Sequence, residues 1–113
     1  MIRLVKIWTV LITLVLCTSS MYGQVKVIHF NADWNTANSV KWIKDLNDCK
    51  ISSIDIVDNT KMKDKHKIVI VPTIVVFKDG EEVKRFQADL SFAMSATRNE
   101  VQDFIDELIM SDF

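Results

Sequence analysis

"IVIVPTIVVFKDGEEVKRF", Ile68 to Phe86, is the stretch from which the fold is read most directly. Two β-branched and aromatic runs, Ile74 to Phe77 and Val83 to Phe86, flank "KDGE". Its Asp-Gly pair tolerates the positive φ angles of a tight turn, so the runs are expected to form an antiparallel hairpin.

Upstream of the hairpin, "ISSIDIVD" (Ile51 to Asp58) alternates toward a strand, and "NTKMKDKHK" suits a short helix with a solvated, lysine-rich face. Further upstream "VKVIHFN" (Val25 to Asn31) reads as a buried strand. In "NSVKWIKDLNDC", Val40, Ile43 and Leu46 share one face, with Trp42 beside them and charges opposite, which predicts an amphipathic helix. Downstream, "TRNEVQDFIDELIM" opens with a Thr97 to Glu100 capping box and places Val101, Phe104, Ile105, Leu108 and Ile109 at helical spacing. The order βαβ(α)ββα predicts an α/β domain: a mixed four-stranded sheet with helices on both faces. At this size roughly two-thirds of the unfolded chain's surface would be buried.

The 113 residues allow one domain, and 49% apolar with 26% charged residues is a globular composition. Residues 1–23 differ in kind. Arg3 and Lys6 form a basic start, "IWTVLITLVLC" is apolar, and "TSSMYG" is small and polar, the layout of a secretory signal peptide. Cleavage just before Gln24 is preferred, leaving a domain over 24–113 that is periplasmic or secreted and free of the membrane. The alternative is an uncleaved anchor over Ile2 to Met21.

Cleavage removes Arg3 and Lys6 from the 14 basic residues, and the remaining 12 against 15 acidic give a net charge of −3. With "KMKDKHK" as the one basic segment, nucleic-acid binding has no support. Cleavage also removes Cys17, so Cys49 is left without an internal disulfide partner. No cofactor is indicated, and Cys49, His29 and His66 lack metal-ligand spacing.

Element order, "HFNADW" running into a helix, "VPT" (Val71, Pro72, Thr73) ahead of the hairpin, and the closing amphipathic helix together resemble the thioredoxin family over nearly the whole mature chain. The resemblance implies a thioredoxin-like fold and a cis bond before Pro72. It also implies that Asn35 and Asn38 stand where redox-active members carry Cys-x-x-Cys. An amide has no ionisable nucleophile, so neither residue can form a mixed disulfide, and dithiol exchange is excluded. The chain departs from the family elsewhere too. His29 stands at a buried acidic position, where a hydrogen-bonded core histidine is expected; Ala88 replaces a glycine, Ala37 a proline, and the extra N-terminal strand and helix have no counterpart.

Asn35 and Asn38 also suit N-cap positions, and capping is expected for at least one of them. Two functions then stand open. In the first, a non-catalytic module binds a peptide or protein partner on a surface of Asp33, Trp34, Asn35, Asn38, Val71, Pro72 and Thr73, the backbone of Val71 pairing with an extended segment. In the second, Cys49 acts alone as a redox or adduct-forming thiol, although its place on the stripe of Leu46 suits a small packed hydrophobe. A decayed oxidoreductase kept as a structural subunit is a weaker third.

Overall fold

The computed structural model describes residues 24–111, so the expected signal peptide, its expected cleavage point and Cys17 lie outside the described residues. The elements are β1 (Val25–Asn31), two 3-10 helices (Asp33–Asn38 and Lys41–Asp45), β2 (Lys50–Asp55), α1 (Thr60–Lys65), β3 (Thr73–Lys78), β4 (Glu81–Gln87) and α2 (Arg98–Met110). The strands form one sheet in the order β2-β1-β3-β4. β1 and β2 are parallel, whereas β1 with β3 and β3 with β4 are antiparallel, giving the mixed sheet expected from the sequence.

Side chains alternate across a strand, so β1 divides its apolar residues between two cores. Val25 and Val27 join Ile74 and Val76 beneath the 3-10 helices and α2, packing on Val40, Ile43, Leu46, Val101 and Ile105. Ile28 and Phe30 join Val75 and Phe77 on the opposite face, against Ile68, Val71 and Met62 of α1. Both faces of the sheet are thereby covered by helical elements.

Local chemistry sets the boundaries. Asp79 (φ 52°) and Gly80 (φ 86°) are both left-handed, which makes the hairpin turn type I′, and a bulge falls between Val76 and Phe77. Asn59 caps α1 by accepting from the Met62 N–H, and Thr97 caps α2 by accepting from the Glu100 N–H at 3.2 Å. Gln102 of α2 accepts from the Asn47 N–H (2.8 Å) and donates to the Asn47 carbonyl (3.2 Å), tying α2 to the loop before β2.

One expectation is corrected. The segment after Trp34 is two 3-10 helices separated by extended backbone at Ser39 and Val40, where a single α-helix was predicted. The apolar residues Val40, Ile43 and Leu46 recur every three positions, which matches the 3-residue turn of a 3-10 helix better than the 3.6 of an α-helix. All three are buried, so the burial was read correctly from a pattern assigned to the wrong helix. Asn35, Thr36, Asn38 and Ser39 also carry side chains that compete with the backbone for hydrogen bonds and weaken α-helix formation.

Candidate functional site

The end of the sheet where β1, β2 and β4 stop and β3 starts gathers the loops after β1, after β2, before β3 and after β4. Among the seven large exposed apolar side chains of the described residues, five lie in these loops: Trp34, Val57, Val69, Leu90 and Phe92. Exposed apolar side chains are normal singly, but their concentration at one end makes that end a candidate contact surface.

Beneath that surface lies a network of asparagines. Asn35 is 6% exposed and donates from Nδ2 to Asn31 Oδ1 (3.1 Å) and to the Phe92 carbonyl (3.1 Å). Asn31 donates from its own Nδ2 to the Asn35 carbonyl (3.1 Å) and Ser39 Oγ (2.9 Å), and Asn38 donates to Asn35 Oδ1 (3.0 Å). Neither Asn35 nor Asn38 is an N-cap, because neither 3-10 helix has a side-chain cap bond. The expected capping role is therefore corrected: the amides bond one another and a distant loop instead of the helix start.

The distant loop follows β4. Asp89 accepts from the Ser91 hydroxyl and from the Ser91 N–H (2.8 Å), an Asx-type turn, and these two bonds hold its carboxyl below the usual carboxylate range. Phe92 follows with φ 62°, its carbonyl on Asn35 and its ring edge-on to Trp34 with centroids 5.3 Å apart. The loop is thus fastened to the β1 corner by one hydrogen bond and one ring contact.

The remaining predicted residues divide by exposure. Asp33, Trp34 and Asn38 are exposed, with Trp34 at 60%. The Val71–Pro72 bond is cis, as the resemblance implied, but Val71 (2%) and Thr73 (0%) are buried and Pro72 has a fully buried side chain. The side chains of these three residues lie buried beneath the loops at this end. Asn31, Ser39, Leu90 and Phe92 were missed in the sequence. For Asn31 a signal was present, because it stands four residues before Asn35 in "NADWN"; for Phe92 none was, because nothing local links position 92 to position 34.

His29 lies beside this corner on the wall of a cleft of about 630 Å³ between the 3-10 helices and β2. The Val40 N–H points to His29 Nε2 (3.5 Å), so Nε2 accepts and Nδ1 carries the proton toward Ser53 Oγ (3.4 Å). With its proton on Nδ1, His29 is no base for Ser53, and burial lowers its pKa from the ordinary value. It is a hydrogen-bonded core histidine. Cys49 packs on the edge of the core under α2, and burial, then the charge of Asp48, pushes its thiol pKa up. Among the described residues no group of three or more His, Cys, Asp or Glu is arranged to hold a metal ion.

The chain matches no protein-family model and no curated protein. Solved structures do match. A mutant thioredoxin from Halobacterium salinarum is 23% identical over 76% of this chain and 75% of its own, with a TM-score of 0.59. Fasciola hepatica thioredoxin is 25% identical over 83% and 89% (TM-score 0.57), and the oxidised thioredoxin from Plasmodium falciparum 16% over 79% and 86% (TM-score 0.55). The fold is thioredoxin-like.

Proposed function

We propose that this thioredoxin-like domain is an exported, non-catalytic binding module that docks an apolar segment of a peptide or protein partner on Trp34, Phe92, Leu90 and Val69. The carrying observation is that large apolar side chains stand exposed at one end of the sheet above a hydrogen-bonded asparagine network. Where the resemblance puts catalytic thiols, the chain has amides whose hydrogen bonds are spent on structure. Such a corner can present a surface but cannot attack a disulfide. Aromatic anchors on a rigid support are the residues that dominate association energies elsewhere.

Peptides selected from a displayed library against the full chain test this directly. Trp34→Ala and Phe92→Ala should each weaken the selected peptides by roughly tenfold or more. Equal binding by the unchanged chain and both variants would sink the proposal. An insulin-reduction assay should show no turnover; turnover would overturn the exclusion of thiol exchange.

A further inference from the structure

The opposite end of the sheet carries a cavity of about 350 Å³ bounded by the first residues of β1 and β2, the side of α1 and the β3–β4 turn. Its wall is apolar at Ile28, Met62 and Phe77, and Lys26, Lys50 and Lys65 stand around it; no residue lining it is acidic. Lys26 and Lys50 are direct register partners on parallel neighbours, and both belong to the cavity. Adjacent strands are about 4.8 Å apart, and like charges set opposite one another destabilise a sheet. An anion between the two ammonium groups converts that repulsion into attraction.

The surrounding charges leave this demand unmet. Among the described residues Lys26, Lys50 and Lys65 have no ion-pair partner, and the nearby Glu82 is engaged by Arg85 through two hydrogen bonds (3.2 and 2.8 Å). Arg85 also donates to the carbonyls of His66 (2.6 Å) and Lys67 (3.0 Å), just past the end of α1, so its guanidinium is already engaged. Burial first, then Lys65, pull the pKa of His66 below its ordinary value, with Arg85 and Lys26 adding to this and Glu82 opposing it.

We propose that this cavity binds an organic phosphate, its phosphate shared by the ammonium groups of Lys26, Lys50 and Lys65 and its apolar body resting on Ile28, Met62 and Phe77. Three ammonium groups suit a dianion with three acceptor oxygens better than the single charge of a carboxylate, and lysine binds phosphate as a point charge. The apolar wall separates such a ligand from inorganic phosphate. The site lies at the far end of β1 from Trp34 and does not depend on the peptide surface.

Titrating the full chain with phenyl phosphate, inorganic phosphate and phenylacetate, followed by methyl and amide NMR shifts, tests the assignment. Phenyl phosphate should bind saturably, shift the Ile28 and Met62 methyls, and exceed both other probes by about tenfold. Lys26→Gln and Lys50→Gln should each weaken it by a similar factor and, without ligand, raise the melting temperature by relieving repulsion; Lys26→Arg should retain binding. Absent saturation, equal binding of phenylacetate, or undiminished binding by folded Lys26→Gln and Lys50→Gln chains would each overturn it. Given binding, competition by phosphatidic acid vesicles assigns a lipid phosphate, and lack of competition assigns a soluble ester; either supports the phosphate chemistry.

Discussion

The two ends of β1 solve opposite problems with similar materials. Where β1 stops, the polar groups of Asn31, Asn35 and Ser39 turn inward and bond one another, while Trp34, Leu90 and Phe92 face water. Where β1 starts, apolar side chains wall a cavity, and the charges of Lys26, Lys50 and Lys65 surround it. Polar groups that satisfy one another act as architecture, since buried networks with every member paired rigidify a structure. Polar groups left without partners are the ones free to meet a ligand. The difference teaches that the asparagines at the β1 corner are structural, so that what each end leaves available is the exposed apolar side chains above that network at one end and the lysines at the other.

The sharpest way to break that comparison is to remove the centre of the network. Asn35→Ala leaves Asn31 Oδ1 without its donor in a buried setting, at about 1–3 kcal/mol, and the Phe92 carbonyl without its donor in a partly exposed one, at about 1 kcal/mol. Urea unfolding should therefore show a loss of roughly 2–4 kcal/mol. Asn38 is exposed and makes one bond to the network, so Asn38→Ala should cost no more than about 1 kcal/mol. Equal losses at the two positions would mean that burial does not distinguish them, and the structural account of the corner would fail.

How much of this was legible follows from the range of each interaction. The strands, the turn at Asp79–Gly80 and the cap at Thr97 depend on neighbours a few positions away, and β1 runs over Val25–Asn31 as the sequence suggests. The 3-10 helices were misread because periods of 3.0 and 3.6 differ little over the three residues Val40, Ile43 and Leu46. Asn35 was noticed for the right reason, its place at the strand-to-helix corner, but given the wrong partners. Its bond to Phe92 spans 57 positions, and no local pattern encodes it. Burial of Val71, Pro72 and Thr73 was likewise hidden, because it arises from elements packed around them.

His29 joins the corner to the pH axis and gives a second test. Its folded pKa lies below the ordinary value of 6.5. Below pH 6.5 the unfolded chain therefore binds the proton more readily than the folded one, and stability falls as pH is lowered from 6.5 through the folded pKa. His66 is shifted in the same direction. Melting temperature should decline on acidification through this window, and His29→Gln should flatten the decline more than His66→Gln because His29 is the more buried. A stronger flattening by His66→Gln would move the acid sensitivity from the asparagine corner to the cavity end.

The smallest expected effect lies in the hairpin turn beside the cavity. Gly80 has φ 86°, a conformation that costs an L-residue about 1 kcal/mol, and a Cβ built there meets nothing within 4 Å. Gly80→Ala should lower stability by about 1 kcal/mol through the backbone alone. Because that cost is local, the Asn35 network at the other end should keep its amide proton protection. If hydrogen exchange instead accelerates at Asn35 and Phe92, the two ends are coupled along β3 and β4, and the sheet must be treated as one cooperative unit where two separable sites were inferred.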